Sequence, residues 1–223
     1  MSQYQKIIKR LFDLTFATLG LLILWPAGLF VAVLIKIFSP GPVFFFQTRI
    51  GLHGKPFTCI KFRTMRIGAE KMGSVTSSTD SRITPIGKIL RKYKFDEFPQ
   101  LWNVLIGKMS FVGPRPDVAG YADTLIGDDR RMLALRPGIT GPATIYFRYE
   151  EEILAGVSNP KEFNDTVLWP EKVRINCKYY DEWSFWKDFG YILITIIPVL
   201  NNILKLLPQS PCDKLAMDNN GKV

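Results

Sequence analysis

Histidine and cysteine are scarce in this chain of 223 residues: His53 stands alone, and the cysteines at 59, 177 and 212 form no C-x-x-C pair. That excludes a Cys/His zinc site, a disulfide scaffold and most histidine-based acid–base schemes. No G-x-x-x-x-G-K-[ST] and no G-x-G-x-x-G occurs, so neither a P-loop nor a dinucleotide-binding loop is supported. Acidic residues are few in the N-terminal half. Residues 1–110 hold 16 basic and 5 acidic residues, whereas 111–223 hold 13 and 15. The basic half expects an anionic partner: lipid headgroups, phosphates or nucleic acid. Hydrophobic residues make up 47% and charged residues 22%, which argues against whole-chain disorder. The length suits one medium domain with a real core.

No charge interrupts residues 14–35, LTFATLGLLILWPAGLFVAVLI. As a helix this stretch is about 33 Å long, enough for a bilayer's hydrocarbon core. It is too long for a signal-peptide h-region, and no small-residue cleavage site follows. Pro26 sits near its middle, and both flanks are basic: Lys6, Lys9 and Arg10 before it, Lys36, Arg49, Lys55, Lys61, Arg63 and Arg66 after it. The positive-inside rule assigns basic flanks to the cytoplasm, and here both qualify. A transmembrane span and a re-entrant hairpin broken near Pro26 both satisfy composition and spacing.

The rest reads as α+β. Residues 43–47 and 57–62 are rich in β-formers and flank a turn, GLHGKP. Residues 68–82 read as loop. Thr84-Pro85 has the pattern of an N-cap with Pro at N1, and Ile86, Ile89, Leu90 and Tyr93 follow at helical spacing. The opposite face carries Lys88, Arg91, Lys92 and Lys94, a solvated face or a contact with anionic lipid or phosphate. A helix is expected over 98–106 with Gly107 as its stop, and further helices over 123–134, 150–156 and 160–181. The stretches SFVGPRP at 110–116 and RPGITGP at 136–142 are irregular loops. Residues 190–207 are apolar but broken by Pro198 and Asn201-Asn202, which fits an interfacial helix better than a span. The expected organisation is a membrane segment over 1–38, a folded domain over 39–207 and a mobile tail over 208–223.

Smaller features have plain readings. His53 is an exposed turn residue, Cys59 a buried reduced thiol, and Glu150–Glu152 a solvated helix start. Trp183, Phe185, Trp186, Phe189 and Tyr191 are either core or an interfacial belt.

Asp96 and Glu97 are adjacent carboxylates between a basic helix and an apolar one. One reading is structural, with Asp96 as an N-cap and Glu97 in the first turn. The other is chemical. A helix start draws phosphate and keeps a carboxylate ionised. Lys61, Arg63, Arg91, Arg115, Arg136 and Arg148 are the cations that could neutralise a pyrophosphate. A carboxylate pair in a basic surround, without Cys/His ligands, suggests phosphate chemistry with oxygen-bound Mg²⁺. Carboxylates also serve as covalent nucleophiles.

The motifs then become specific. KRLFD at 9–13, the Pro26 break, SPGPVFFFQTRIG at 39–51, KFRTM at 61–65, FDEFPQLWNVLIGKMSFVGPRP at 95–116, LRPGITGP at 135–142 and WSFWKDFGYIL at 183–193 occur in that order. The chain resembles the small monotopic phosphoglycosyl transferases, bacterial sugar transferases that load a sugar-1-phosphate onto a polyprenyl phosphate. The resemblance covers about residues 6–200. It implies an α+β monotopic protein with a re-entrant helix-break-helix, a small β-hairpin and several interfacial helices. It implies a catalytic domain on the cytoplasmic face of a bacterial inner membrane. It implies a ping-pong reaction in which Asp96 attacks a UDP-sugar, UMP leaves, and polyprenyl phosphate collects the sugar phosphate from Asp96. Asp96 and Glu97 would both meet Mg²⁺, with proton handling open for Glu97. Lys61, Arg91, Arg115 and Arg148 match positions where the family places basic residues near the phosphates. Nucleic acid has no part in this reading, and a homodimer is admitted without being specified. Two segments depart from the family pattern: Trp25 precedes the membrane proline where many relatives carry Ser, and ATIYFRYEEEILAG occupies 143–156. Two other classes compete: a membrane-anchored basic binding scaffold, and a Mg²⁺-dependent phosphodiesterase on lipid pyrophosphates.

Overall fold

A computed structural model describes residues 1–69 and 81–207. The loop reading for 70–80, the mobile tail over 208–223 and Cys212 lie outside the described residues. The chain opens with one long helix, α1 (Gln3–Phe38), started by a capping box between Ser2 and Gln5. A hairpin follows, β1 (Phe44–Ile50) and β2 (Pro56–Phe62), then α2 (Pro85–Lys92) and α3 (Gln100–Leu105). β3 (Ser110–Val112) and β4 (Gly138–Thr140) form a two-stranded parallel pair. The C-terminal part is helical: α4 (Pro142–Tyr146), α5 (Glu150–Ala155), α6 (Pro160–Phe163), α7 (Trp169–Asp181), α8 (Phe185–Ile196) and α9 (Asn201–Leu204).

α1 does not break at Pro26; the helix continues through it. No gap in the helix marks the expected break: α1 gives up only the hydrogen bond that Pro26 cannot donate. Lys9, Asp13, Ala17, Gly28, Val31 and Ile35 are buried and recur along one face. Small residues let this face approach closely: a side chain on Gly28 would meet Phe98, and one on Gly20 would meet Leu101. The other faces are exposed and apolar, among them Phe16, Leu19, Leu22, Ile23, Trp25, Leu29, Phe30 and Val33. So much exposed apolar surface on one element marks a membrane interaction site, and the length of α1 suffices to cross a bilayer.

KRLFD is the docking end of α1. Lys9 Nζ pairs with Asp188 at 2.5 Å. Arg10 donates to the carbonyls of Val104 and Leu105 at 2.7 and 2.8 Å, satisfying the C-terminal end of α3. Asp13 Oδ1 accepts from Ser110 Oγ and from the Phe111 N–H, each at 3.0 Å, so it holds the start of β3.

The hairpin forms as expected, with both strands longer than their β-rich cores: Phe44 faces Phe62 and Ile50 faces Pro56. Thr84 caps α2 through the Gly87 N–H at 3.0 Å. Its apolar face is only partly used. Leu90 is buried and Ile86 half-buried, but Ile89 and Tyr93 are exposed. Residues 127–134 are a 3-10 segment, as is Ala122–Thr124, in place of the α-helix expected over 123–134. A π-helical turn, Asn164–Leu168, separates α6 from α7. The two irregular loops meet backbone to backbone. Gly113 donates to Thr140 O at 2.9 Å and Gly138 to Pro114 O at 2.8 Å. A side chain on Gly113 would overlap Arg136 O, and one on Gly141 would overlap Gly113 O. This approach fixes where Pro114-Arg115-Pro116 leaves β3.

Candidate active site

The carboxylates sit on a single 3-10 turn, Phe95–Glu97, entered through Lys94 in the left-handed region at φ 56°. Asp96 is not a helix N-cap. α3 begins later, at Gln100, and Pro99 precedes it without a side-chain cap. What places the turn is Asn103, buried one helical turn on. Its Oδ1 accepts from the Ile60 N–H at 3.0 Å, and its Nδ2 donates to Thr58 O at 2.7 Å. α3 is thereby bolted to β2, and Lys61 on β2 reaches the turn.

Glu97 Oε1 accepts from Lys61 Nζ at 2.8 Å and from Arg115 Nη2 at 3.0 Å. Burial opposes the ionisation of Glu97, and Arg115 and Lys61 overcome it, holding the carboxyl well below the usual carboxylate range. Asp96 is moved the opposite way. Burial and the neighbouring Glu97 charge raise it, against the pull of Lys61, Arg91 and Lys94. Asp96 Oδ1 is buried without a hydrogen-bond partner among the described residues. The pair therefore divides: Glu97 is a fixed anion, and Asp96 is a poorly solvated carboxylate with a free oxygen, the state of a good nucleophile or metal ligand. Two carboxylates beside substrate phosphates are an ordinary Mg²⁺ donor set. Among the described residues no third His, Cys, Asp or Glu joins them.

Of the arginines grouped by sequence, Arg115 meets the carboxylates directly, and Arg91 lies close enough to bias Asp96 while its Nε donates to Thr64 Oγ1 at 3.0 Å. The structure does not bring the other three to the carboxylates. The buried Arg63 guanidinium donates to Ser39 O, Ser39 Oγ and Pro40 O, closing the turn after α1. Arg136 Nε donates to Gly107 O at 2.9 Å, and Arg148 Nη2 to Ile194 O at 3.0 Å. Backbone carbonyls are their partners, which sequence spacing does not reveal.

A second charged group escaped sequence reasoning. Glu150 is not simply a solvated helix start: it pairs with Lys172 at 2.7 Å, both half-buried. Asp117, just past Pro116, faces Lys172, Arg49, Arg115 and Glu150, and burial pushes it up to about 6. The run GPRPD carried the only sequence signal for it. A carboxyl raised on folding stabilises the fold below its unfolded value near pH 4 and loses that contribution as pH rises through about 6. Asp117→Asn is therefore expected to raise Tm at pH 7.5 by a few degrees relative to the parent, and to leave Tm unchanged near pH 4. A Tm difference that is flat across this range would remove the assignment.

The smaller readings divide. Trp183 and Tyr191 are core, whereas Trp186 and Phe189 are exposed; Cys59 is buried and His53 exposed in its turn.

Comparison with known proteins follows the same residues. A family model described as bacterial sugar transferase matches residues 4–202. An uncharacterised sugar transferase of Bacillus subtilis, EpsL, is 38% identical over 194 residues, 87% of this chain and 88% of that protein. A UDP-glucose:undecaprenyl-phosphate glucose-1-phosphate transferase of Xanthomonas campestris is 37% identical over 203 residues, 88% of this chain but 40% of the relative. A UDP-N-acetylgalactosamine-undecaprenyl-phosphate N-acetylgalactosaminephosphotransferase of Aeromonas hydrophila is 34% identical, covering 86% of this chain and 44% of its own length. The chain thus spans most of the Bacillus protein and less than half of the other two.

Proposed function

The chain belongs to the bacterial sugar transferase family, and from that premise we propose that it transfers a sugar-1-phosphate from a UDP-sugar to a membrane polyprenyl phosphate. The observation that carries this reading is the split carboxylate pair, Glu97 neutralised by Lys61 and Arg115 beside a buried Asp96 with an oxygen that has no partner among the described residues. In the first half-reaction an Asp96 oxygen attacks the sugar-bearing phosphorus of the donor. The bond from that phosphorus to the UMP oxygen breaks, and UMP leaves. In the second, a phosphate oxygen of the polyprenyl phosphate attacks the same phosphorus. The aspartyl–phosphorus bond breaks and the Asp96 carboxylate is restored. Asp96 and Glu97 would hold Mg²⁺, which supplies charge neutralisation on the diphosphate oxygens. Lys61 and Arg115 orient the donor diphosphate and keep Glu97 ionised.

Membrane placement follows the same logic. Both halves of α1 pack on one body, Lys9 to Ala17 at one end and Gly28 to Ile35 at the other, while residues 22–27 between them are exposed. A helix crossing the bilayer would carry one end away from that body. The arrangement supports a re-entrant, monotopic helix bent at Pro26, with the catalytic domain on the cytoplasmic face of a bacterial inner membrane. The exposed Trp186, Phe189, Ile196, Ile197 and Val199 would rest at the interface.

The test uses the full chain in detergent with Mg²⁺, a panel of UDP-sugars and undecaprenyl phosphate. The expected result is UMP release with one donor, formation of a lipid-linked sugar diphosphate, and loss of both on chelation. Release of free sugar phosphate to water would favour a phosphodiesterase. No turnover of any donor would favour a binding scaffold.

A further inference from the structure

Lys61 and Arg115 are both committed to Glu97, yet the proposed reaction brings two phosphorylated substrates to Asp96. A third cation stands on the same turn. Lys94 is exposed, directly precedes Phe95, and acts on the charge of both carboxylates. Its left-handed backbone separates it from the end of α2 and starts the 3-10 turn. The same turn ends a row of rings. Phe95 stacks on Phe98 at 5.5 Å, Phe98 on Phe62 at 6.2 Å, and Phe62 on Phe44 at 5.5 Å, with Phe46 6.4 Å beyond.

The row is not simply core. Phe44 and Phe46 are 42% and 59% exposed, and Phe95 and Phe98 are half-buried. Phe62 is sealed within a cluster that includes Val31, Ile35 and Leu90, so it backs the row rather than presenting a face. Hairpin register puts Phe44 opposite Phe62, and Gly28 of α1 lets the membrane helix close on Phe98. An exposed cation next in sequence to an apolar track is the complement of an amphiphile with an anionic head and a hydrocarbon tail. A nucleotide sugar can stack its uracil on one ring but has no hydrocarbon tail to lay along the whole track.

Resting on the transferase reading above, we propose that the two substrates approach the carboxylates from different sides. Lys94 holds the phosphate of the polyprenyl acceptor, and Phe95, Phe98, Phe44 and Phe46 receive its first isoprene units. The cations then divide, Lys61 and Arg115 serving the donor diphosphate and Lys94 the acceptor.

The two half-reactions separate this proposal from the transferase reading itself. Lys94→Asn removes the charge and keeps a residue that tolerates φ 56°. The expected result is an acceptor KM raised about tenfold, a larger factor than any change in the rate of UMP release without acceptor. Lys94→Arg should restore the acceptor KM. Phe46→Ser is expected to raise KM for undecaprenyl phosphate and to leave KM for geranyl phosphate nearly unchanged. If the parent releases no UMP from any donor, the transferase reading fails, and this proposal falls with it. If the parent turns over and Lys94→Asn leaves acceptor KM unchanged, this proposal alone is overturned. An equal loss in the donor half-reaction would place Lys94 on the donor side and also overturn it. If Phe46→Ser weakens flotation with anionic vesicles without altering acceptor KM in detergent, the row is a bilayer contact and the tail assignment is wrong.

Discussion

Asp96→Asn is expected to abolish turnover, by at least about a thousandfold, while leaving the protein folded and membrane-bound. The two halves of that result have one origin. Asp96 is buried beside a second carboxylate, so burial and then Glu97 raise its pKa. A carboxyl raised on folding stabilises the protein only below its unfolded value near pH 4, and it opposes folding once pH exceeds its folded value. At neutral pH the charge on Asp96 is a cost the fold carries for its chemistry. Asparagine removes the charge at almost constant volume, so Tm should hold or rise by no more than about 3 °C. Intact-protein mass spectrometry with donor alone should show a phosphosugar adduct on the parent and none on the variant. The same raised pKa should place the acidic limb of the donor half-reaction above the ordinary aspartate value of about 4. An adduct that persists in Asp96→Asn would remove the nucleophile assignment. Loss of both Tm and activity would make Asp96 structural.

Much of this site was legible in the sequence because its signals are local. The adjacent Asp96 and Glu97, the Thr84-Pro85 start of α2 and the β-rich runs around GLHGKP each depend on a few neighbouring residues. The destinations of Arg63, Arg136 and Arg148 were not legible. Each sits among phosphate-site motifs, yet each donates to backbone carbonyls brought near by tertiary packing. The parallel pair β3–β4 was hidden for the same reason. It is three residues long on each side, and it forms because Gly113 and Gly141 allow two loops to touch. Pro26 marks no gap in the helix, because the packing of Gly28, Val31 and Ile35 on its far side keeps α1 helical through it.

KRLFD shows most clearly what periodicity could not reveal, and the second large effect lies there. Asp188→Ala is expected to destabilise the fold by about 3–5 kcal/mol. Asp188 Oδ2 accepts from Lys9 Nζ at 2.5 Å and from Trp183 Nε1 at 3.0 Å, and Oδ1 accepts from Tyr179 OH at 2.5 Å. Lys9, Tyr179, Trp183 and Asp188 are all buried. Burial and the Asp188 charge push the Tyr179 phenol well above its usual value, so it remains a donor. Removing the carboxylate strands an ammonium and two neutral donors in a place water reaches poorly, and each must be resolvated or left unpaired. Replacing both ions with apolar side chains has a different outcome. Lys9→Met with Asp188→Leu should recover most of the loss, because no buried charge is then left alone. Denaturant unfolding of the four proteins in one detergent measures the coupling directly. A loss below about 1 kcal/mol in Asp188→Ala would make the pair a passive contact. The consequence for chemistry is indirect. Lys9, Arg10 and Asp13 dock α1 on α8, α3 and β3 in successive contacts, and β3 leads into the loop that aims Arg115 at Glu97. Asp188→Ala should therefore free the first turns of α1 to exchange amide hydrogen faster, and lower donor turnover through Arg115 without changing which donor is used.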